Sequence, residues 1–424
     1  MLQLHNLAKG TMSNQKPQTL KGFRDFLPTE KRQRDFVAGK MRQVFELYGY
    51  DPLETPTLEY ASLLLGKYGD EADKLVYTFA DRGERQVGLR YDQTVPTARV
   101  LGQYQAQLPR YFRRYQIQNV FRADKPQQGR YREFTQCDCD IFGSTDAIAD
   151  AEILAVYYRA FTNLGLKIEI QINDRQTLLA AVQPFTTEQV GVFSIIQTID
   201  KLDKQSPAEV TDELIAKGLD RTAAEACLLS VKSAEMSPAL AEIEKLALAL
   251  GVDRGSLIFN PTLARGLDYY TGLIFEGRSP EYPSGSLGGG GRYDNLLGDL
   301  TGVSVPAVGF GIGFDRTVEV ANQLGLIPTD GTGTQVLVTI FDDQTVEPAL
   351  TVARQLRAAG IKTEVYPAPD KLSKQFKLAD QKKIPFAIVI GEQEIAAGTL
   401  ALKNLTTGEQ QSLPIDQAIT FLKQ

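Results

Sequence analysis

The segment Phe134–Phe142 (FTQCDCDIF) carries the most suggestive arrangement of side chains for chemistry in this chain of 424 residues. Its residues alternate as in a β-strand, whose side chains point to opposite faces in turn. Gln136, Asp138 and Asp140 therefore share one face. Carboxylates in mid-strand need partners or water, because a buried unpaired charge is costly. We predict that this face binds a small ligand that is cationic or carries N–H groups.

The cysteine and histidine content excludes several classes of site. Cys137 and Cys139 fall on the opposite face of the same strand, where we expect them to be buried and inert. With Cys227 they are too few for an all-thiolate tetrahedral site, which needs four ligands. The single histidine, His5, lies in an irregular polar stretch, so Ser-His-Asp and Cys-His catalysis have no base in the body of the chain. We expect no metal site built by the protein itself.

The segment from Arg110 to Glu133 is strongly basic, although the whole chain carries a net charge of −6. Asp124 and Glu133 are its acidic residues, against these lysines and arginines: Arg110, Arg113, Arg114, Arg122, Lys125, Arg130 and Arg132. The planar guanidinium group of arginine matches the geometry of phosphate. The segment is either a contact for polyphosphate or an RNA backbone, or a charged hairpin in solvent.

Tyrosines and glycines supply the remaining candidates. The segment 264–272 (ARGLDYYTG) offers hydroxyls, charges and stacking faces at close range, or alternatively an aromatic strand with surface charges. Gly309–Gly313 (GFGIG) forms a glycine-lined strand that could admit a flat ring against its backbone. The four glycines at 288–291 lack the spacing of a dinucleotide-binding turn, and the sequence contains no Walker-type phosphate loop.

Helices and hairpins must position these segments in the first half of the chain. Residues 28–48 have a helical pattern. Residues 74–90 alternate as a hairpin with its turn at 81–83, and a second hairpin encloses a loop at about 123–130.

The pattern of predicted secondary structure changes twice in the second half of the chain. Residues 175 to about 250 form short helices in series, with capping boxes predicted at Ser206–Glu209 and Thr222–Glu225 and a further helix start at Ser237. After a Gly/Thr linker, short apolar strands alternate with helices from Thr334 onward, which is typical of a small parallel or mixed sheet.

Length and composition set the broad class. A chain of this length, with 43% hydrophobic and 23% charged residues, is typical of a globular protein of two or three domains. The odd number of cysteines favours a reducing compartment. No apolar run reaches the roughly 18 residues of a membrane span, and the N-terminus lacks the core of a signal peptide. We therefore expect a cytoplasmic protein without membrane contact.

Taken together, these segments resemble the class II aminoacyl-tRNA synthetases. Arg122 in FRAD, followed by GRYREF at 129–134, resembles motif 2 of that class; GFGIGFDR at 309–316 resembles motif 3, and Pro56 lies where motif 1 carries its proline. Three further peptides resemble signatures of the histidyl-tRNA synthetase family: KGFRDFLP at 21–28, RGLDYYTG at 265–272 and GGRYD at 290–294.

The resemblance implies a fold and a division into domains. A tail at 1–19 would precede an α+β catalytic domain at 20–325, in which helices flank an antiparallel sheet of the class II type. A helical insertion at about 175–255 would interrupt that domain. An anticodon-binding α/β domain would follow at 331–424.

The resemblance also implies a site for ATP, with Mg²⁺ on its phosphates. Arg122 would hold the α-phosphate, Arg316 the γ-phosphate, and Arg265 would lie against the α-phosphate where other class II enzymes use a metal; these three would be the catalytic residues. The full set in contact with ATP would be Arg122, Asp124, Arg130, Phe134, Arg265, Gly313 and Arg316. Lys125 and Gln127, on the same motif 2 loop, would approach the acceptor end of tRNA.

A histidine site is implied beside the ATP. Asp92 and Thr94, with Gln136, match positions that bind the α-amino group, and Asp140 and Tyr270 match the two groups that hydrogen-bond the imidazole. The full histidine-binding set would be Asp92, Thr94, Gln136, Asp140, Tyr269, Tyr270 and Tyr293. Many bacterial members carry glutamate at the positions of Asp92 and Asp140, so both carboxylates here are one methylene shorter.

The implied activity joins L-histidine to ATP as histidyl-adenylate and transfers it to the 3′ end of tRNA(His). The family resemblance further implies a homodimer formed through the motif 1 region around Pro56. One alternative is a catalytically inactive paralogue that acts as the regulatory subunit of ATP phosphoribosyltransferase in histidine biosynthesis; such chains usually lack the C-terminal domain. A class II synthetase for another amino acid is disfavoured by Asp140, Arg265 and Tyr270.

The C-terminal domain carries a cluster of lysines with two interpretations. The cluster consists of Lys371, Lys374, Lys377, Lys382 and Lys383. These lysines form either a solvated helix face or a contact for the RNA backbone.

Overall fold

The chain folds into two units. The computed structural model describes residues 16–66, 73–125, 131–264, 269–282, 285–328 and 333–423. The first unit comprises Arg34–Ile327 with the described residues up to Asp25, and the second comprises Pro328–Gln424 with Phe26–Gln33. Within the described ranges, no helix is both long enough and apolar enough to cross a membrane.

A large sheet forms the framework of the first unit. The strands, in chain order, are β1 (Asp51–Pro52), β2 (Leu58–Tyr60), β3 (Thr78–Ala80), β4 (Gln86–Leu89), β5 (Phe112–Phe121), β6 (Glu133–Phe142), β7 (Glu169–Asp174), β8 (Leu257–Phe259), β9 (Leu273–Arg278), β10 (Gly288–Arg292) and β11 (Ala307–Gly313). Among the described residues, eight strands form one sheet in the order β1-β5-β6-β11-β10-β9-β7-β8, and β2-β4-β3 form a second. The large sheet is antiparallel except for the pairs β1–β5 and β7–β8 at its edges. The predicted antiparallel sheet is confirmed, with a parallel pair added at each edge.

Two helices, Pro28–Leu47 and Ala147–Thr162, pack against this sheet. The helices of the first unit are α1 (Pro28–Leu47), α2 (Ala61–Leu64), α3 (Thr94–Tyr104), α4 (Ala147–Thr162), α5 (Arg175–Val182), α6 (Val192–Ile199), α7 (Pro207–Lys217), α8 (Arg221–Lys232), α9 (Pro238–Ala249), α10 (Leu296–Thr301) and α11 (Phe314–Gln323). The main core joins α1 and α4 to the strands. In it, the ring of Tyr157 on α4 meets Phe275 of β9 and Phe310 of β11 edge-on, with centroids 5.2 and 5.1 Å apart. Such aromatic contacts fix α4 across the centre of the sheet.

The helical segment between β7 and β8 contributes to two cores. Helices α5 to α8 bury a cluster of their own, to which Leu178, Ile195 and Cys227 belong. Helix α9 packs on α4 instead and adds Leu240 and Ile243 to the main core. The predicted helical insertion therefore has two parts. Helices α5 to α8 have a core of their own, and α9 packs into the core of the large sheet.

One of the two predicted capping boxes is wrong. Ser206 caps α7 as expected, because its hydroxyl accepts from the Glu209 backbone N–H while the Glu209 carboxylate accepts from the Ser206 backbone N–H. Helix α8 begins at Arg221, two residues earlier than a cap at Thr222 predicts. Its cap is Asp220, which accepts from the Ala223 backbone N–H at 2.9 Å.

The second unit is a mixed five-stranded sheet with helices. Its strands are β12 (Val336–Val338), β13 (Thr363–Val365), β14 (Phe386–Val389), β15 (Leu400–Asn404) and β16 (Gln410–Leu413), and its helices are α12 (Val346–Ala358), α13 (Leu372–Gln381), α14 (Glu392–Ala397) and α15 (Ile415–Leu422). The described strands lie in the order β13-β12-β14-β15-β16, parallel up to β14 and antiparallel beyond it. The prediction of a parallel or mixed sheet is confirmed; the antiparallel strands β15 and β16 were not predicted.

Candidate active site

A cavity of about 600 Å³ opens over the centre of the large sheet in the first unit. It brings together most of the residues that the sequence predicts for ATP and histidine: Asp92, Thr94, Arg122, Asp124, Phe134, Gln136, Asp140, Tyr269, Tyr270, Tyr293, Gly313 and Arg316. Arg130 and Arg265, with Gln127 of the motif 2 loop, lie outside the described residues.

The register of β5 against β6 builds the polar floor of this cavity. Asp140 lies opposite Arg114, Asp138 opposite Gln116, and Gln136 opposite Gln118. Side chains on one face of an antiparallel pair stand close to their direct partners. The floor is thus a two-strand array of carboxylates, amides and one guanidinium group. Cys137 and Cys139 are buried on the other face, as the alternation predicts.

Arg114 and Tyr293 both engage the carboxylate of Asp140. The guanidinium Nη2 of Arg114 lies 2.6 Å from Asp140 Oδ2, and the Tyr293 hydroxyl donates a hydrogen bond to Oδ1. Burial raises the pKa of the Asp140 carboxyl, while Arg114 and the Tyr293 hydroxyl oppose this effect. Oδ1 thus has a hydrogen bond within the protein, whereas Oδ2 has a charged neighbour but no hydrogen-bond donor among the described residues. The sequence alone does not identify Arg114 as the partner of Asp140.

Gly309 on β11 provides the room for this carboxylate. It lies opposite Asp140 in the register of β11 against β6. A Cβ atom added at Gly309 would stand 1.8 Å from Asp140 Oδ1. Because such an approach is sterically impossible, the glycine of motif 3 is required by the position of the acidic side chain.

The three tyrosines form one wall of the cavity. The rings of Tyr269 and Tyr270 lie 4.5 Å apart between centroids, and Tyr269 meets Tyr293 edge-on at 6.3 Å. Burial and the carboxylate of Asp140 raise the pKa of the Tyr293 hydroxyl well above its usual value, so this hydroxyl stays protonated and donates.

Arg122 is held by two aromatic rings at another side of the cavity. Its guanidinium carbon lies 4.3 Å from the centroid of the Tyr91 ring and 5.1 Å from that of Phe134. Its Nε donates to the carbonyl oxygen of Tyr91 at 3.2 Å. The side chain is thereby oriented before any ligand arrives, which suits a cation that must meet a phosphate.

Arg316 lies next to an ionic cluster at the start of α11. Its guanidinium donates to the carbonyl oxygen of Ser286. The neighbouring Asp315 pairs with Arg24 at 3.0 Å and with Arg34, and it accepts from the Thr135 backbone N–H at 3.0 Å. This carboxylate thus fixes the N-terminus of α11, and with it Arg316, against β6.

The start of α3 is tied to the same two strands. Asp92 Oδ1 accepts from the Val95 backbone N–H at 3.1 Å. The buried Gln93 side chain donates to the carbonyl oxygens of Gln118 and Gln136 at 3.1 and 3.0 Å. These bonds hold Asp92 and Thr94 beside the polar floor.

The basic segment 110–133 is not one surface patch. Arg113 pairs with Glu152 at 2.7 Å, Arg114 is buried under Asp140, and Arg132 donates to the Asp124 carbonyl oxygen. Among the arginines of this segment that the structure describes, only Arg122 lines the cavity. The polyphosphate interpretation therefore applies to Arg122 rather than to the segment as a whole.

The arrangement suits one kind of ligand pair. Cationic side chains reach the cavity from Arg122 and Arg316, while carboxylates and tyrosines surround its floor. An anionic group would meet the arginines, and a group rich in N–H donors would meet the acids. In the described part of the chain, no group of three or more histidine, cysteine or acidic residues could hold a metal ion.

Known proteins resemble both units of this chain. The family described as histidyl-tRNA synthetase matches residues 22–316, and the anticodon binding domain family matches residues 335–424.

Individual proteins match over nearly the whole length. A histidine–tRNA ligase of Phocaeicola vulgatus is 38% identical, covering 96% of this chain and 99% of that protein, and one of Porphyromonas gingivalis is 39% identical, covering 95% and 98%. The crystal structure of histidyl-tRNA synthetase from Nostoc sp. PCC 7120 superposes with a TM-score of 0.85 at 29% identity, covering 97% of this chain and 99% of that one. A structure from Bacillus halodurans, described as an ATP phosphoribosyltransferase regulatory subunit/histidyl-tRNA synthetase, shares the fold with a TM-score of 0.72 at 22% identity, covering 89% of this chain and 100% of that one. The chain belongs to the histidyl-tRNA synthetase family.

Proposed function

We propose that this chain activates L-histidine with ATP to histidyl-adenylate and transfers the histidyl group to the 3′ end of tRNA(His). One observation carries this proposal: a single cavity joins the oriented cation of Arg122 to the buried acid and tyrosine pair of Asp140 and Tyr293. The curated relatives named histidine–tRNA ligase cover nearly the whole chain.

The first step needs no nucleophile from the protein. The carboxylate of histidine attacks the α-phosphorus of ATP, a C–O–P linkage forms, and pyrophosphate leaves with the electrons of the broken P–O bond. The protein has to align the two substrates and stabilise the charge that builds up on the phosphate oxygens. A chain body without histidine is fully compatible with this chemistry.

ATP binding is assigned to the cationic side of the cavity. Arg122 would hold the α-phosphate and Arg316 the γ-phosphate, with Arg265, outside the described residues, as a second contact of the α-phosphate. The remaining proposed contacts are Asp124, Arg130, Phe134 and Gly313. Mg²⁺ would arrive with ATP and be held mainly by phosphate oxygens, because the described residues offer no ligand cluster for it.

Histidine binding is assigned to the acidic side. Asp92, Thr94 and Gln136 would receive the α-ammonium group, and Asp140 with Tyr270 would meet the imidazole. Tyr269 and Tyr293 would enclose the ring. A side chain without ring N–H groups would leave these buried polar groups unpaired, which penalises other amino acids heavily.

The second unit is proposed to bind the anticodon region of tRNA. Lys374 and Lys377 on α13 are exposed or partly exposed, as RNA contacts require. We further propose a homodimer through the region of Pro56, since Leu58 and Tyr60 on the adjoining β2 are 46% and 58% exposed. The compartment that fits this activity is the cytoplasm.

The regulatory-subunit alternative is less well supported. The Bacillus halodurans protein described with that role is 22% identical, so the likeness shows the fold alone. Relatives that are 38% and 39% identical over nearly the whole chain carry the ligase name, and residues 335–424 match the anticodon binding family.

Pyrophosphate exchange with each of the twenty amino acids tests the activity. We expect ATP–pyrophosphate exchange with histidine alone, followed by charging of tRNA(His). Exchange with a different amino acid, or none with any, would overturn the proposal.

Arg265→Ala tests the part of the proposal that rests on sequence. Loss of a cation from the α-phosphate should reduce histidine-dependent exchange by roughly 100-fold or more, the scale on which loss of one transition-state contact acts. The control is Arg254→Ala, which removes an exposed arginine of the same unit and should leave exchange unchanged. Near-normal exchange in Arg265→Ala would reject the assigned role.

A further inference from the structure

Asp138 is a buried carboxylate of the cavity to which the proposed function gives no role. It lies on β6 between Gln136 and Asp140 and is only 5% exposed. Its Oδ1 atom is buried and has no hydrogen-bond partner among the residues that the structure describes, and the same holds for Oε1 of Gln136. Buried acceptors without donors are costly, so both atoms call for a donor from a ligand.

The neighbouring acid is in a different situation. Asp140 Oδ2 lies beside the guanidinium group of Arg114, and Oδ1 accepts a hydrogen bond from the Tyr293 hydroxyl. Asp138 Oδ1, in contrast, has neither an ion pair nor a hydrogen bond among the residues that the structure describes.

The space in front of Asp138 has the size of one small group. Gly311 of β11 lies opposite Asp138. A Cβ atom added at Gly311 would stand 3.0 Å from Asp138 Oδ1 and 3.7 Å from Gln136 Nε2. Because the glycine has no side chain, the place of a methyl group stays open beside both polar side chains. An ammonium group is about as large as a methyl group and carries three N–H donors.

We propose that Asp138 binds the α-ammonium group of histidine over Gly311, with the Gln136 amide turned so that Oε1, in place of Nε2, accepts a further N–H. This inference rests on the proposed function and deepens it. Asp92, on the same cavity, would accept from the third N–H. With the Thr94 hydroxyl assigned above, the three N–H donors have four acceptors available, two of them charged, which is a strong and specific arrangement.

The electrostatics of the site around Asp138 agree with a cationic ligand. Burial raises the pKa of Asp138 to about 8; Arg114 and Arg122 oppose this rise, and Asp140 and Asp92 add to it. A cation beside the carboxyl favours its ionised form. Histidine binding near pH 7 should therefore release a proton from Asp138.

The test compares ligands with and without the amino group on Asp138→Asn in the full-length chain. Histidine and histidinol carry the group, whereas imidazole propionate lacks it. We expect the variant to bind histidine and histidinol at least roughly tenfold more weakly and imidazole propionate equally well. Calorimetry at pH 7 in buffers of different ionisation enthalpy should show less proton release with histidine than in the unmodified chain.

Several results would overturn the inference. Equal weakening of all three ligands would assign Asp138 to the imidazole or to the framework, and unchanged affinities would give it no role in binding. Asp299→Asn, at an exposed position of the same unit, is the control for loss of a carboxylate. If Asp138→Asn does not fold, Gly311→Ala fills the proposed ammonium site and should produce the same selective loss; retained binding of histidine by that variant would reject the proposal.

The proposed function fails on a separate result. If the unmodified chain does not activate histidine, the function is wrong whatever Asp138 does. If it activates histidine and Asp138→Asn shows no ligand selectivity, only the inference about Asp138 is wrong.

Discussion

At the scale of single residues, the buried pair of Arg114 and Asp140 organises the acidic side of the cavity. Arg114 is fully buried, and its guanidinium also donates to Gln116 Oε1 at 3.1 Å. Breaking a buried ion pair leaves one charge uncompensated, which costs more than the pair itself contributes. The position of Asp140 is therefore fixed by an interaction that any substitution there must disturb.

Asp140→Asn should weaken histidine binding and destabilise the fold. We expect KM for histidine to rise roughly tenfold or more, KM for ATP to change little, and the free energy of unfolding to fall by about 3 kcal/mol. Exchange kinetics and urea unfolding measure these quantities.

The matched control for that prediction breaks the ion pair of Arg113, which neighbours Arg114 on β5. Glu152→Gln removes the partner of Arg113, which is more exposed, so it should cost about 1 kcal/mol or less and leave both KM values unchanged. Equal rises in KM for histidine and ATP in Asp140→Asn would count against a contact with the imidazole.

Asp138 should make stability depend on pH. An aspartate in the unfolded chain titrates near 3.9, whereas burial raises the pKa of Asp138 in the folded chain to about 8. The folded chain thus holds a proton that the unfolded chain releases, and stability falls as pH rises from about 4 towards 8. Asn at this position cannot ionise. The free energy of unfolding of Asp138→Asn relative to the unmodified chain should therefore increase with pH, by up to about 1.4 kcal/mol per unit, until about pH 8.

Urea unfolding of both proteins at pH 6, 7, 8 and 9 measures this difference. A difference that stays constant over the series would show that Asp138 titrates alike in the folded and unfolded chains.

The sequence predicts the faces of β6 but not the partners of its side chains. Alternation alone separates Asp138 and Asp140 from Cys137 and Cys139, and the structure agrees. In the sequence, Arg114 is one of several basic residues in the segment 110–133. The loop between β5 and β6 is too long to set the register of the two strands, so the sequence does not show that Arg114 faces Asp140. The register that places Arg114 opposite Asp140 emerges only in the folded sheet.

At the scale of elements, local capping patterns compete with each other. The segment before α8 offers both Asp220 and Thr222 as caps, and both types of side chain favour that position. Asp220 prevails, with its carboxylate on the Ala223 backbone N–H. The S/T-x-x-E pattern of the sequence cannot decide between them, since the choice depends on where the helix meets its neighbours. The sequence does not predict β15 and β16 for a related reason: β15 is held by pairing with β14 and β16 by pairing with β15, not by a strong local pattern.

Substitutions at the start of α8 distinguish the two caps. Asp220→Ala should lower the free energy of unfolding by about 1 kcal/mol, whereas Thr222→Ala should change it by less than about 0.5 kcal/mol. Urea unfolding is the measurement, and histidine-dependent exchange should stay normal in both variants because α8 lies outside the cavity. A larger loss for Thr222→Ala would place the cap where the capping-box pattern predicts it.

At the scale of the whole molecule, each unit has a core of its own. The apolar cluster of the second unit contains Val336, Ile388 and Leu402, and the cavity residues all belong to the first unit. Activation and tRNA binding can therefore be separated by experiment.

A chain that ends at Ile327 should retain one activity and lose the other. We expect histidine-dependent exchange close to that of the full chain, because the cavity stays intact. Charging of tRNA(His) should fall by roughly tenfold or more, which corresponds to a loss of about 1.4 kcal/mol of binding. Charging at the full rate would remove the anticodon-binding role of the second unit.

The order of strands in the large sheet has a consequence for how the protein is made. β11, at residues 307–313, lies between β6 and β10, although both precede it in the chain. Until the ribosome has delivered β11, β6 and β10 each present an open edge, and contacts between such distant segments form slowly. The edge of β6 therefore stays open while residues 143–313 are synthesised, and that of β10 only while residues 293–313 are synthesised, and open strand edges can pair with other chains. Because Gly309, Gly311 and Gly313 of β11 line the cavity, the cavity is complete only after this glycine-rich strand has joined the sheet.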